Sequence, residues 1–318
     1  QGDWAAFERR IERAIAVARA SGGTWLLAEA IRGQAEADRQ RGRLDRARAG
    51  FVEALPVYEA ALSTLGGAHC IQGLGDVARQ QGQVDPAEAH YQRALKIYEE
   101  LNDLKGMAGV MRGLGGLARL RGDYPRAAEI IARALQLFES QGLRLGMANC
   151  LNDLGDFARY DGRSGEAEAL YLRAERAYAA CASYATIYPL TNLGLLYLQQ
   201  GRVTEARRTV GQALGQAQAM GITGLLGGLW LCLACCDAAQ GKWGDFDVAL
   251  PRAVEQLRRS AEFDRDNVLP AEQAAEHCLR AGQVERAGAC LLLAREQLLG
   301  LGEHEAAAAL ALRLEGMR

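Results

Sequence analysis

A glycine returns along this chain at Gly2, Gly42, Gly82, Gly122, Gly162, Gly201, Gly241 and Gly282, at intervals of 40, 40, 40, 40, 39, 40 and 41 residues. Twelve residues after each stands an alanine: Ala14, Ala54, Ala94, Ala134, Ala174, Ala213, Ala253 and Ala294. Five after, the residue is alanine in six of eight cases, with Phe7 and Phe246 the exceptions. Nine after comes a larger apolar residue (Ile11, Phe51, Tyr91, Ile131, Tyr171, Val210, Leu250, Leu291), and seven before is always a small one (Ala35, Gly75, Gly115, Gly155, Gly194, Ala234, Ala275). A period of this length marks an array of small supersecondary units. It displaces the two ordinary domains that 318 residues would otherwise suggest.

Each unit reads as two antiparallel helices. Residues five, nine and twelve after the glycine fall on one face of the second helix. The small residues on both helices let them approach closely. The glycine supplies the left-handed backbone that ends the first helix. Asp85-Pro86 and Asp123-Tyr124-Pro125 read as caps opening second helices, since proline is tolerated in a first turn. No segment sustains strand-like alternation, so the expected class is all-α. Pro251, inside the second helix of the sixth unit, predicts a kink there.

These residues resemble the tetratricopeptide (TPR) pattern of Leu-Gly in the first helix, then Gly, Ala, a large residue and Ala. The second unit shows it best, with Leu74-Gly75, Gly82, Ala87, Tyr91 and Ala94. The period of about 40 exceeds the family's 34, and the closing proline is missing. The resemblance implies a right-handed α-solenoid of about seven TPR-like helix pairs with a half repeat at each end. The repeats are expected at 22–65, 66–103, 104–143, 144–183, 184–221, 222–263 and 264–301, between a second helix at 1–21 and a closing helix at 302–318. Because Gly2-Asp3-Trp4 already reads as an inter-helix turn, the expectation is a fragment of a longer protein.

Composition bears mainly on partners and compartment. Thirty-seven basic against thirty-nine acidic side chains give a net charge of −2, which argues against a non-specific nucleic-acid binder. The eight cysteines sit in apolar helical patterns rather than in a disulfide framework, which points to a reducing, cytoplasmic setting. Thr209 to Cys236 is uncharged, but its most apolar part, Ile222–Cys236, has 15 residues where a membrane span needs about 20.

Catalytic patterns are poor. His69, His90, His277 and His304 are scattered, and neither a zinc-protease motif nor a phosphate-binding loop is present. Gly73-Leu-Gly75-Asp-Val-Ala78 and Gly113-Leu-Gly115-Gly-Leu-Ala118 fit a dinucleotide fingerprint. Both, however, fall inside a first helix, where the glycines serve packing. Cys232, Cys235 and Cys236 resemble half of a zinc site but read as core. No catalytic residue, metal or cofactor is expected.

Function is therefore expected on the first helices, which in a stacked array line a concave groove. Three residues before the turn glycine stand Arg39, Arg79, Arg119 and Arg159, then Leu198, Ala238 and Leu279. With Arg112, Asp76, Asn152, Asp156 and Tyr160 they form the candidate partner-binding face, to which Gln80 adds. Arginine forks suit the carboxylates or carbonyls of a protein or peptide partner. Asp76/Arg79 and Asp156/Arg159 can equally satisfy each other at i,i+3. Arg119, facing Gly116, lacks such a partner. Leu195, Leu198, Leu231 and Trp230 form either a docking patch or core.

The expected function is a non-enzymatic protein- or peptide-binding scaffold. Leu74–Arg79, Leu154–Arg159, Gly241–Phe246 and Phe263-Asp264 resemble TPR arrays of large bacterial signalling proteins. That resemblance implies an upstream serine/threonine kinase or signalling ATPase and a sensor or recruiting role. The alternative is a small-ligand or peptide-pheromone sensor whose curvature changes on binding. The array's own upstream domains are a further candidate partner.

Overall fold

The structure is a computed structural model that describes residues 4–260 and 263–317, with side chains from residue 9. The turn expected at Gly2 and the contact of Phe7 lie outside the described residues. The described residues form helices and turns, and no strand occurs among them. A lone helix, α1 (Trp4–Ser21), is followed by seven pairs. These are α2 (Thr24–Gln40) with α3 (Leu44–Ala60), α4 (Thr64–Gln80) with α5 (Val84–Glu100), and α6 (Leu104–Leu120) with α7 (Tyr124–Ser140). Then come α8 (Arg144–Tyr160) with α9 (Ser164–Ala179), α10 (Ile187–Gln199) with α11 (Val203–Met220), and α12 (Leu226–Ala239) with α13 (Trp243–Ser260). The last pair is α14 (Val268–Arg280) with α15 (Val284–Gly300), and α16 (His304–Glu315) closes the chain. Single 3-10 turns, Tyr184–Thr186 and Arg265–Asn267, lead into α10 and α14.

The turn glycines do what their period implies. Gly42, Gly82, Gly122, Gly162, Gly201, Gly241 and Gly282 all have φ between 68° and 77°, the left-handed region. After α4, Gly82 N donates to Arg79 O (3.1 Å) and Gln83 N to Ala78 O (2.9 Å), closing the helix end. The same conformation recurs between repeats, at Gly22, Leu62, Asn102, Gly142, Ala182, Gly221 and Gly302. The backbone period is thus close to 20 residues, half the sequence period. Leu62, Asn102 and Ala182 hide it, because they hold positive φ without being glycine.

Helix starts correct one expectation. Asp123 caps α7, its carboxylate accepting from Arg126 N (3.2 Å). Asp85 does not cap; the N-cap of α5 is Gln83, and Asp85 sits in the first turn, where its charge complements the helix dipole. Pro251 lies within an unbroken α13.

The chain divides into two compact units, residues 1–157 and 158–318. Within unit 1, each helix from α1 to α6 packs on the next, and first helices touch first helices, as α2 with α4 and α4 with α6. Its core is the second-helix stripe, with Ala47, Phe51, Ala54 and Tyr58 in α3 and Ala87, Tyr91, Ala94 and Tyr98 in α5 all buried. Burying each ring contributes about 2 kcal/mol. First-helix glycines make room for these rings. A Cβ on Gly73 would stand 2.5 Å from Phe51 Cζ, and one on Gly75 would stand 2.8 Å from Tyr91 Cδ1. The fingerprint glycines are therefore packing glycines. In unit 2 the corresponding stripe is Tyr171, Val210, Phe246, Leu250 and Leu291, and α10, α12 and α14 pack in sequence.

Candidate functional site

The first-helix arginines of unit 1 are held in different ways, and the reason lies in the residue nine after each turn glycine. In repeat 1 that residue is Phe51, which has no hydroxyl. Glu36 is long enough to take Arg39 directly, accepting from Nε at 2.9 Å and Nη2 at 2.6 Å. In repeat 2 it is Tyr91. The shorter Asp76 accepts from the Tyr91 hydroxyl (2.6 Å), which in turn accepts from Arg79 Nε (3.3 Å). Asp76 and Arg79 are thus bridged by a tyrosine rather than joined as the i,i+3 spacing suggests. Burial and the Asp76 charge push the Tyr91 hydroxyl's pKa up, so it remains a proton donor to the carboxylate. In repeat 3 the residue is Ile131 and the acid is replaced by Gly116. Arg119 is exposed and makes no hydrogen bond or ion pair among the described residues.

Gly116 has a second effect. The Arg79 side chain lies across it, with Cδ 3.5 Å from where a Cβ would be. Arg79 of α4 therefore extends over α6, toward Arg119. Arg112 stands 4.0 Å from Asp153 of α8, and both side chains are more than a third exposed. Asp153 feels Arg112, Arg119 and Arg79 together, yet the protein packed around it still raises its carboxyl above the usual range. Asp153 lies nine before its turn glycine, one place off the stripe read from the sequence. Asn152 and Asp156 are half-buried on α8.

A second layer supports this face. Tyr58 and Tyr98, sixteen residues after their turn glycines, reach back to the preceding first helix. Arg32 Nε donates to the Tyr58 hydroxyl (3.1 Å), and the Tyr98 hydroxyl donates to Gln72 Oε1 (2.9 Å). That sixteenth position was legible as an aromatic repeat (Tyr58, Tyr98, Phe138, Tyr178).

Unit 2 is different. Arg159 is not open to a partner; it is buried, and its fork grips Asp266 through Nη1–Oδ1 (3.0 Å) and Nη2–Oδ2 (2.7 Å), 107 residues away in sequence. Tyr160, half-exposed, has the Arg159 guanidinium 4.5 Å from its ring centre. Leu195, Leu198 and Leu231 are core, at 5%, 3% and 0% exposed, which removes the docking-patch reading. Trp230 is half-buried beneath Arg252. Cys232, Cys235 and Cys236 are buried free thiols; burial pushes all three up, Cys236 to about 11. Cys235 Sγ lies 3.8 Å from Gln273 Oε1, and no metal-holding group of His, Cys, Asp or Glu occurs among the described residues. Among those residues no helix is long and apolar enough to cross a membrane.

Known proteins agree with this architecture. The family model described as tetratricopeptide repeat matches residues 26–100 and 106–180. The sensor-bearing signal transduction ATPase with numerous domains from Pyrococcus horikoshii superposes with a TM-score of 0.67 at 14% identity, over 96% of this chain and 48% of that one. A Rap protein solved in complex with competence and sporulation factor gives 0.63 at 14% identity, over 92% of this chain and 75% of that one. BtubC from P. vanneervenii gives 0.57 at 21% identity, covering 71% and 93%. At these identities the likeness is one of fold. No curated protein matches the sequence.

Proposed function

This chain is a tetratricopeptide-repeat protein, and from that premise we propose that it works as a non-enzymatic scaffold binding an acidic protein or peptide segment on the first-helix face of unit 1. The observation that carries this reading is Arg119. Arg39 and Arg79 are satisfied by Glu36 and by Tyr91 with Asp76, whereas Arg119 is exposed and unpaired among the described residues. An unpaired guanidinium beside Arg112 and the outstretched Arg79 is a fork without its carboxylate. Asp153 sets the register, because a ligand acid placed against it would be repelled. Arg39, Asp76, Asn152, Asp156 and Tyr160 then frame the face, and Arg159 supports unit 2 from within.

The wider role is that of a sensor or partner-recruiting region in bacterial cytoplasmic signal transduction, attached to an upstream kinase or ATPase module. The P. horikoshii protein, named for its tetratricopeptide-repeat sensor, and the Rap protein complexed with a factor favour this reading by analogy of fold. The test compares the chain with Arg112→Ser/Arg119→Ser for binding of acidic peptides. Loss of binding in the double variant, with unchanged circular dichroism, is the expected result. Equal binding by both proteins overturns the assignment of this face.

A further inference from the structure

We infer that unit 2 holds a binding site for a small ligand carrying an ammonium or guanidinium group, in the pocket between α10, α12 and the turn before α14. This site is separate from the acidic-peptide face of unit 1, and it calls for a ligand of opposite charge. The pocket has a volume of about 170 Å³. That is room for about six water-sized groups. Leu195, Leu225 and Leu257 give it an apolar wall, and Tyr188 stands at its side, 44% exposed. Among the described residues, no lysine, arginine or histidine lines it.

Those of its polar groups whose hydrogen bonds are fixed present acceptors to it, while Asn192 and Tyr188 complete the lining. Gln297, 3% exposed, accepts the Asp264 main-chain N–H at Oε1 (3.2 Å), which fixes which end of its amide faces the turn. The same oxygen accepts from Asn267 Nδ2 (3.3 Å). The Asn267 amide is thereby oriented, and its Oδ1 points the other way, over α12. A Cβ on Gly228 would stand 2.8 Å from that oxygen, so glycine there keeps the acceptor uncovered. The Thr191 hydroxyl donates to Ile187 O (2.8 Å) and so presents only lone pairs. Asp266 is clamped by Arg159 but keeps a second lone pair on each oxygen. Asp264 Oδ1 accepts from Asp266 N (2.9 Å), which locks the turn.

A lining of this kind, with two carboxylates and two oriented neutral acceptors, is complementary to a group with several N–H donors and a positive charge. A carboxylate or phosphate would meet the like charge of Asp264 and Asp266. The Tyr188 ring beside the pocket suits a cation over its face. Arg159 sets the geometry from outside the lining: it balances the single charge of Asp266, so the net acidity of the pocket comes from Asp264.

The test is a calorimetric titration of the chain with putrescine and agmatine, with succinate as an anion of similar size. Putrescine or agmatine is expected to bind and to raise the melting temperature, while succinate gives no heat. Asp264→Asn keeps the oxygen that caps the turn but removes the charge, and should weaken amine binding about tenfold. Gly228→Ala places a methyl against Asn267 Oδ1 while improving helix propensity, and should weaken binding at least as much without lowering the melting temperature of the free protein. Thr191→Val, isosteric in a helix, should cost about threefold. The inference is overturned if neither amine binds at about 10 mM. It is equally overturned if succinate binds as well as putrescine, or if Asp264→Asn and Gly228→Ala leave amine affinity unchanged.

Discussion

Units 1 and 2 use one backbone plan and fill their first helices with opposite chemistry. In unit 1 the first-helix face is a row of guanidiniums, of which Arg39 is braced by Glu36, Arg79 by Tyr91 with Asp76, and Arg119 by no hydrogen bond or ion pair among the described residues. In unit 2 the equivalent positions include Leu198 and Ala238, both buried, while Arg159 is turned inward onto Asp266 in the turn before α14. The lesson is that a repeat can change what its inner face does without changing its fold. The second-helix stripe fixes the pair, and the first-helix positions three, six and ten before the glycine are left to vary.

The largest effect should come from the charge that unit 2 buries. Arg159→Met leaves Asp266 without its clamp and should destabilise unit 2 by about 3 kcal/mol in urea unfolding. Arg159→Met/Asp266→Leu should recover most of that loss, since neither charge is then stranded. If the single variant unfolds no earlier than the native chain, the contrast between a structural arginine here and ligand-facing ones in unit 1 breaks. Tyr91→Phe makes repeat 2 resemble repeat 1 but keeps the short Asp76, so the hydroxyl bridge is lost with nothing to replace it. A cost of about 1 kcal/mol is expected, read as a shifted denaturation midpoint.

The shared backbone plan predicts a response of the same sign in the two units. Asn102→Gly and Ala182→Gly relieve positive φ at 53° and 49° respectively. Alanine carries the larger strain, so Ala182→Gly should stabilise by about 1 kcal/mol and Asn102→Gly by less. Opposite signs in thermal unfolding would show that the inter-repeat turns are not equivalent. The smallest stability effect sharpens the functional contrast most. Gly116→Glu gives Arg119 the direct i,i+3 acid that repeat 1 has, for a gain of about 0.3 kcal/mol. The same variant should lose affinity for acidic peptides; unchanged affinity would show that Arg119 is not the contact.

Much of this was legible in the residues. The glycine period, the alanines at twelve and the small residues at seven before the turn specify paired helices, because close helix approach and a left-handed turn each admit few side chains. Arg119 was legible too, since its isolation follows from Gly116 alone. The stripe position nine before the turn was not read, and with it Asp153 was missed. Asp264 was noted only within the Phe263-Asp264 resemblance and Asp266 was not read, because the turn lies between helices and outside the glycine-centred pattern. The cap expected at Asp85 failed because α5 starts two residues earlier than the proline suggests, leaving Asp85 in the first turn.

The sequence by itself determined the repeat, the helix pairing and which residues make the core, since those follow from local periodicity and from side-chain size. Tertiary structure alone decided what each arginine does. Arg79 and Arg159 occupy the same place in their repeats; one lies across a neighbouring glycine and the other is buried on an aspartate 107 residues away. A guanidinium's role depends on which acceptor comes within about 3 Å and on how much water is excluded there. Neither quantity is written in a forty-residue pattern, because both are set by how far successive first helices turn about one another.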